Sequence, residues 1–236
     1  MIFKKNNLYV FGASGHAKEL VNLAKNTHKN CPTFHRFVFV SSKGQEAGTI
    51  SEEKLSKVAS DTFFCKAEKL RVVLGIGSPK VREKIDRLVL NPNSFLIPQN
   101  LISSSANVPE EMLHLVRGSC PKWNINPRNQ RGIIICPGVT VTVDVKLGRH
   151  VHLNTGCTVC HDVEIGDYSI VSPMATVCGN VTIGKRCYIG AGAVIRDGVS
   201  IADDVTVGAG AVVVSDLKDP GTYVGCPAKF LKEESI

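Results

Sequence analysis

The sequence predicts a small Rossmann-like α/β domain followed by a parallel β-helix of hexapeptide repeats. A strict six-residue period of aliphatic side chains runs through the second half of the chain. In the first half, two glycine turns each stand between a strand pattern and a helix pattern. A hydrophobic content of 43% with 21% charged residues is typical of a globular protein. We therefore assign residues 1–98 to the first domain and residues 99–236 to the β-helix.

The six-residue period contains fourteen consecutive positions, all aliphatic: Ile135, Val141, Leu147, Leu153, Val159, Ile165, Val171, Val177, Ile183, Ile189, Ile195, Ile201, Val207 and Val213. A period of six matches neither an α-helix nor a coiled coil. Three short strands instead close a triangular coil of eighteen residues, whose aliphatic side chains fill the interior. Neighbouring coils pair about 4.8 Å apart. Because no coil is stable alone, the array has to be continuous.

Residues 102–112 resemble a degenerate start of the coil, and residues 113–132 then break the six-residue phase. The interruption contains Pro121, Trp123 and Pro127 and has no periodicity. We interpret it as a loop insertion. Loops of this length are either functional or inert, and both readings stay open. A tail at residues 218–236 follows the last repeat.

Two glycine turns in the first half are predicted to bind an anionic substrate. The first follows a strand pattern at 8–11 and precedes a helix pattern at 18–25, while the second lies between patterns at 71–74 and 80–90. Glycine lets the backbone approach an anion, and the N–H groups of the helix start point at it. The predicted binding residues are Gly12, Ala13, Ser14, Gly15, His16, Gly75, Gly77 and Ser78. A purely structural role for the turns is the alternative.

The end of the second strand pattern argues against a dinucleotide cofactor. Dinucleotide-binding folds place an acidic residue there to hold a ribose. In this chain the pattern at 36–40 is followed by Ser41 and Ser42. Nicotinamide and flavin dinucleotides are therefore not expected ligands.

Composition limits the other partners. The net charge is +7, but the basic residues are scattered without an aromatic platform, so nucleic acid is not expected and an anionic small substrate explains the charge as well. No apolar run is long enough to span a bilayer, and no signal segment is visible, so we expect a cytoplasmic protein without membrane insertion. Nine cysteines without a secretory signal favour free thiols, with Cys157 and Cys187 in inward slots of the repeat.

His161 is the candidate catalytic residue. It lies two residues after Val159, at a corner of the coil, so its ring is expected to point outward. The residue eighteen positions later is Gly179, which leaves room for a thin extended molecule beside the imidazole. Imidazole is suited to remove a proton from an amine or hydroxyl that attacks an acyl carbonyl, and Asp162 would orient it. A solvated surface histidine beside a carboxylate is the alternative.

The whole assembly resembles the sugar acetyltransferases of the left-handed β-helix class. The resemblance rests on the turn from Gly12 to His16, Gly75-Ile-Gly77, the fourteen hexads, Cys-His161-Asp162 and the ending Gly225-Cys-Pro-Ala-Lys229. It covers nearly the whole chain except residues 113–132. Among these enzymes, the chain is similar to the nucleotide-aminosugar N-acetyltransferases of the bacillosamine pathway and to the sialic acid O-acetyltransferases.

The resemblance implies a homotrimer that binds acetyl-CoA in the groove between neighbouring solenoids. By the same matching, His161 is the general base, and the groove is lined by Gly179, Gly190, Ala209 and Lys229. The expected reaction is direct N-acetylation of a nucleotide-linked amino-sugar in bacterial surface-glycan biosynthesis, without a metal or an acyl-enzyme. O-acetylation of sialic acid or another acidic sugar is the alternative.

Three features depart from this family pattern. Ser41-Ser42 replaces an acidic pair near the nucleotide base, Ile170 replaces a histidine, and the insertion at 113–132 has no counterpart. Two other classes also stay open. One is a zinc hydratase similar to the gamma carbonic anhydrases, which would use His150 and His152 with His161. The other is a non-catalytic trimeric scaffold.

Overall fold

A computed structural model describes residues 7–12, 14–26, 34, 36–41, 49–51, 70–89, 96–110, 112 and 132–231. The elements of the first part alternate between strand and helix. They are β1 (Asn7–Phe11), α1 (Gly15–Lys25), β2 (Arg36–Ser41), β3 (Thr49–Ser51), β4 (Leu70–Leu74), α2 (Pro79–Val89) and β5 (Leu96–Pro98). Ala13, Ser42 and residues 113–131, on which predictions were made, lie outside the described residues.

The five strands of the first part form one parallel sheet in the order β3-β2-β1-β4-β5. β1 is its centre, and all five of its residues are buried. The predicted strands and helices are confirmed, with bounds shifted by a few residues. The largest shift is at α1, which begins at Gly15 instead of Lys18, so that its first turn also contains His16 and the buried Ala17. The domain boundary at residue 98 stays a prediction.

The second part consists of short strands that repeat every six residues. They are β6 (Leu101–Ile102), β7 (Ile134–Ile135), β8 (Thr140–Val141), β9 (Lys146–Leu147), β10 (His152–Leu153), β11 (Thr158–Val159), β12 (Glu164–Ile165), β13 (Ile170–Val171), β14 (Thr176–Val177), β15 (Thr182–Ile183), β16 (Tyr188–Ile189), β17 (Val194–Ile195), β18 (Ser200–Ile201), β19 (Val205–Val207), β20 (Val212–Val213), β21 (Gly221–Val224) and β22 (Lys229–Phe230). Each pairs with the strand eighteen residues away along most of the array, so the predicted left-handed parallel β-helix is confirmed.

The strands stack into three faces of a triangular prism. The first face has the order β22-β21-β19-β16-β13-β10-β7-β6, the second β20-β17-β14-β11-β8 and the third β18-β15-β12-β9. β6 pairs with β7, and Asn107 bridges to Thr140, so the predicted degenerate start is a coil in the structure. The tail lengthens the first face, because β21 pairs with β19 and β22 returns antiparallel to β21.

The core of the prism is the predicted aliphatic column. All fourteen aliphatic side chains are at most 3% exposed. Cys157 and Cys187 are fully buried beside them, which confirms that these two thiols fill inward slots. Burial raises the pKa of Cys157 to about 12 and that of Cys187 to about 11, so both remain protonated and apolar at neutral pH.

Every corner of the prism turns through one residue with a left-handed backbone. These residues recur every six positions with φ between 53° and 71°: Gly138, Asp144, His150, Gly156, Asp162, Tyr168, Met174, Asn180, Arg186, Gly192, Gly198, Asp204 and Gly210. A side chain other than glycine is uncommon in this conformation. The corners at which a residue other than glycine adopts this unfavourable backbone conformation are therefore informative.

The corner between the third and first faces is here called the docking corner. Gly132, with φ 88°, lies at its first described coil, and the four left-handed residues that follow at eighteen-residue intervals each contact a charged residue of α2. Asp86 binds His150 at 3.1 Å and Tyr168 at 2.7 Å, Glu83 lies 3.4 Å from Arg186, and Lys80 lies 3.8 Å from Asp204.

The contacts of α2 follow the repeat of the coils. Lys80, Glu83 and Asp86 are three residues apart, which is a rise of about 4.5 Å along a helix. The coils that they contact are about 4.8 Å apart. The helix thus runs along the prism, where Asp86 contacts two neighbouring coils and Glu83 and Lys80 contact one further coil each, which fixes the first domain against the docking corner. Among the described residues, no helix has both the length and the apolarity needed to cross a bilayer.

Candidate active site

His161 is held at the corner between the second and third faces, here called the His161 corner. It follows β11 directly, and its carbonyl accepts a hydrogen bond from Asn180 N at 2.9 Å, which ties it to the next coil. Its side chain is 55% exposed. The predicted outward orientation is therefore confirmed.

Asp162 orients the imidazole. His161 Nδ1 lies 2.9 Å from Asp162 Oδ2. A carboxylate can only accept, so Nδ1 is the protonated nitrogen and Nε2 retains its lone pair. This arrangement provides a base at Nε2, with a carboxylate behind it that stabilises the imidazolium after proton uptake.

Gly179 provides the space for the ring. A Cβ atom added to Gly179 would lie 2.5 Å from His161 Cε1 and 2.6 Å from Nε2, well inside van der Waals contact. The predicted stacking of the imidazole against a bare glycine is thus confirmed. Cys160 and Cys178 flank this pair on adjacent coils and are half-buried free thiols.

For the acetyl transfer that the family resemblance implies, the Gly179→Ala variant is expected to be about 10²-fold slower, because the new methyl group displaces the imidazole by about 1 Å. Steady-state kinetics on the purified variant measure the loss. The matched control is the same substitution in a His161→Ala background, where the clash partner is gone. A further rate loss in that double variant would contradict the explanation, since the effect then does not pass through the ring.

The other predicted groove residues lie on a different corner. Gly190 and Ala209 stand between the first and second faces, where a Cβ on Gly190 would lie 2.6 Å from Ala209 N. Lys229 is exposed in β22 and pairs with Val224. Within one chain, therefore, Gly179 lies beside His161 while Gly190 and Ala209 do not.

The two glycine turns meet at the carboxyl ends of β1 and β4, which are adjacent strands. A Cβ on Gly12 would lie 2.7 Å from Gly75 O, and one on Gly75 would lie 2.8 Å from Ala17 Cα. These two glycines are required for the turns to pack together. A Cβ on Gly15 or Gly77 would meet nothing within 4 Å, so open space lies next to both helix starts.

Neither helix start is closed by an acidic group. Neither α1 nor α2 has an acidic residue in its first turn, and Ser14, the N-cap of α1, makes no side-chain capping hydrogen bond. The first N–H groups of a helix attract anions. Together with Ser78, which is exposed, these turns form a cradle that suits an anionic group.

His150 and His152 have partners at the docking corner and lie apart from His161. His150 Nε2 donates to Asp86 Oδ1, its ring stacks on Tyr168, and His152 Nε2 lies 3.3 Å from Cys136 Sγ. In one chain the three histidines of the hydratase alternative do not meet. Among the described residues, no cluster of three or more metal-binding side chains is present.

Asp86 and Arg82 were missed by the sequence reasoning. Asp86 is buried and accepts hydrogen bonds from Arg149 Nη2 at 2.6 Å and Nε at 2.5 Å, in addition to His150 and Tyr168. Burial acts to raise the pKa of Asp86, but the interactions with Arg149 and His150 hold it far below its usual value. The sequence signal that could have found them is their spacing. Arg82 and Asp86 lie four residues apart on one face of an amphipathic helix, and that helix has to pack against another part of the protein.

Stability is expected to fall as the pH drops from about 6.5 to about 4. Burial lowers the pKa of His150 to about 4 despite its bond to Asp86, so the folded protein keeps the imidazole neutral while the unfolded chain protonates near 6.5. This stabilisation is complete above pH 6.5. The difference between the unfolded and folded pKa values of His150 corresponds to a loss of about 3 kcal/mol by pH 4. Urea unfolding across this range measures it, with His150→Gln expected to make the profile less steep, while the lowered pKa values of His16 and His152 maintain the remaining slope. An equally steep profile in that variant would reject His150 as the cause.

Two known protein families match parts of this chain. Residues 7–88 match the PglD N-terminal domain, and residues 144–179 and 180–215 match the bacterial transferase hexapeptide (six repeats). No curated protein matched significantly.

Several solved structures align with nearly the whole chain. The acetyltransferase domain of PglB from Neisseria gonorrhoeae, in complex with acetyl coenzyme A, is 28% identical with a TM-score of 0.77, over 97% of this chain and 100% of that chain. The second is GDP-perosamine N-acetyltransferase from Caulobacter crescentus with one histidine replaced by alanine, in complex with CoA and GDP-perosamine. It is 25% identical with a TM-score of 0.77, over 96% of this chain and 97% of that chain. WeeI from Acinetobacter baumannii is 26% identical with a TM-score of 0.70, over 95% and 99%.

The fold and the two matched domains define a hexapeptide-repeat transferase with a PglD-type first domain. Within that class, the chain is similar to the left-handed β-helix sugar acetyltransferases, and it is an acyltransferase.

Proposed function

We propose that this enzyme transfers the acetyl group of acetyl-CoA directly to the amino group of a nucleotide-linked amino-sugar. The observation that carries the proposal is His161, whose side chain is 55% exposed, with Nδ1 held by Asp162 at 2.9 Å and the ring lying against Gly179. The PglB domain binds acetyl coenzyme A and the Caulobacter enzyme binds GDP-perosamine, which supports the two substrate classes.

In the proposed mechanism His161 Nε2 removes a proton from the acceptor amine as the amine nitrogen attacks the thioester carbonyl. Asp162 stabilises the imidazolium that results. A backbone N–H near Gly179 stabilises the negative charge on the carbonyl oxygen of the tetrahedral intermediate. The carbon–sulfur bond then breaks, and the imidazolium returns its proton to the coenzyme A thiolate. No acyl-enzyme is formed, and no step requires a metal.

The groove for acetyl-CoA is proposed to lie between two subunits of a homotrimer. The support is geometric, since Gly179 lies on the His161 corner and Gly190 and Ala209 lie on another. Two neighbouring prisms under threefold symmetry bring unlike corners together, as a closed heterologous interface requires. Lys229, exposed in β22, would contact a coenzyme A phosphate. Light scattering is expected to give three times the 25.4 kDa chain mass.

The acceptor is proposed to be bound through its anionic nucleotide part at the two glycine turns, from Gly12 to His16 and from Gly75 to Ser78. The open space at Gly15 and Gly77 supports this, because neither position needs glycine for packing. We place the reaction in the cytoplasm and in bacterial surface-glycan biosynthesis, as the family resemblance implies.

The deciding experiment is thiol release from acetyl-CoA with a panel of UDP-, GDP- and dTDP-linked amino-sugars beside free sialic acid. Release is expected with one amino-sugar nucleotide, and the product identifies N-acetylation by its mass and its resistance to mild base. Release with sialic acid alone would replace this acceptor by the O-acetylated one. The absence of thiol release with every member of the panel, together with stoichiometric zinc in the purified protein, would favour the hydratase alternative.

A further inference from the structure

Arg82 is the most unusual buried group in the described part of the chain. It is fully buried, and none of its nitrogens, Nε, Nη1 and Nη2, has a hydrogen-bond partner among the described residues. Asp86 lies one helical turn away, but Arg149, His150 and Tyr168 already bind its carboxylate oxygens. The guanidinium charge therefore has no direct counter-charge in contact with it.

Three histidines near Arg82 also have unpartnered nitrogens. His16 Nε2, His150 Nδ1 and His152 Nδ1 are buried without a hydrogen-bond partner among the described residues, and the rings of His16 and His152 lie 4.8 Å apart. Burial, and after it the positive charge of Arg82, lowers the pKa of His16 and of His152. The other titratable groups nearby are Asp86, Tyr168, Cys136 and the exposed Glu19, which lies 3.6 Å from His16 Nδ1.

A structural role accounts poorly for this arrangement. A guanidinium that serves only to join a helix to a coil donates to carbonyl or carboxylate oxygens on the other side, and Arg82 donates to none that the structure describes. An unpaired charge without water is strongly unfavourable in a folded protein. Native proteins seldom keep such a group unless a ligand or a function uses it.

The position of Arg82 indicates the ligand. Its backbone N–H donates to Ser78 O at 3.0 Å, so it stands in the first turn of α2, directly behind the second glycine turn. His16 stands in the first turn of α1, behind the first glycine turn. The two helix starts thus offer N–H groups on the open side at Gly15 and Gly77, while Arg82 lies on the inner side. Arg82 and His152 are fully buried, whereas 18% of the His16 side chain is exposed, so His16 connects these buried groups to the surface.

We propose that Arg82 and His16 bind one phosphate group of the acceptor's nucleoside diphosphate from the inner side of the glycine turns, while the helix starts bind the other. This inference rests on the proposed function in that the acceptor is a nucleotide-linked sugar. A tetrahedral oxyanion has enough lone pairs to accept from the guanidinium, the imidazole and the turn N–H groups together. His16 moves aside or turns its ring to admit it.

Isothermal titration of Arg82→Met and Arg82→Lys tests the assignment. The probes are inorganic pyrophosphate, UDP, GDP and dTDP, the corresponding nucleosides, free sialic acid, and acetyl-CoA. We expect the wild type to bind pyrophosphate and one nucleoside diphosphate. The Met variant should bind both about 10- to 100-fold more weakly, as for the loss of a hydrogen bond to a charged group, with the Lys variant in between. Binding of acetyl-CoA should be unchanged.

The thermal stability of the unliganded variants separates a ligand-binding role from a structural one. Because Met has a similar length and removes an unpaired buried charge, the Arg82→Met variant should unfold at the same temperature as the wild type or higher. A lower unfolding temperature with unchanged affinity for pyrophosphate would make Arg82 structural. Failure of the wild type to bind pyrophosphate would overturn the site, and so would Arg82-dependent binding of sialic acid without binding of any nucleoside diphosphate.

Failure of this inference and failure of the proposed function give different results. If pyrophosphate binding depends on Arg82 but no amino-sugar nucleotide is acetylated, the phosphate site stands and the assigned reaction is wrong. If acetylation occurs and Arg82→Met leaves both the KM for the sugar nucleotide and the affinity for pyrophosphate unchanged, the reaction stands and the phosphate site is wrong.

Discussion

Replacement of His161 by alanine is expected to slow acetyl transfer by about 10²- to 10⁴-fold, the usual effect of removing a positioned general base. The side chain is 55% exposed, so the substitution removes almost no packing. The unfolding temperature should therefore match that of the wild type. Single-turnover measurements with saturating acetyl-CoA give the rate of the chemical step directly.

Asp162→Asn is the matched control for this prediction. The amide keeps the size of the carboxylate but has one oxygen that accepts and one nitrogen that donates, so His161 Nδ1 loses its fixed acceptor. The expected rate lies between those of the wild type and His161→Ala, and the double variant should be no slower than His161→Ala alone. An unchanged rate in His161→Ala would place the base elsewhere. If the wild type is also inactive with every acceptor, the scaffold interpretation gains.

Replacement of Asp86 by alanine is expected to destabilise the protein by about 3–5 kcal/mol, because Arg149 and His150 then stay buried without their carboxylate. For a chain of this size, the loss lowers the Tm by roughly 10 °C. The KM for the sugar nucleotide should rise as well, since Asp86 lies on the helix that follows the second glycine turn. Calorimetry and initial-rate kinetics measure the two effects.

Lys80→Ala is the control for the Asp86 prediction. Lys80 contacts the same corner through Asp204, but its side chain is 75% exposed and the pair is 3.8 Å apart. Such a pair contributes less than about 1 kcal/mol, so the control should leave the Tm nearly unchanged. Equal losses from the two variants would mean that any contact along the docking corner matters, and that the buried carboxylate has no special role.

The coil was predictable because its pattern is local. Each inward position of the repeat is aliphatic on its own, and no distant partner has to be known to recognise it. The stacking of Gly179 on His161 followed from adding eighteen. The same arithmetic separates Gly190 and Ala209 from His161, since neither lies a multiple of eighteen residues away. The residue numbers alone therefore predict that the groove residues lie on two different corners.

The docking corner was not predictable in the same way. Asp86 meets Arg149, His150 and Tyr168 across 63, 64 and 82 residues. No local pattern encodes such separations, and a charged residue on an amphipathic helix is normally solvated. Arg82 was missed for the same reason, because only the packing of α2 against the prism shows that this side chain is buried.

The match between the rise of α2 and the spacing of the coils means that the first domain has discrete positions along the prism. A shift of three residues on the helix corresponds to one full coil, and any intermediate shift puts charged side chains opposite the wrong groups. An insertion or deletion within the coil is therefore compatible with docking when it comprises eighteen residues. The distance between the glycine turns and the His161 corner would then change in single-coil steps.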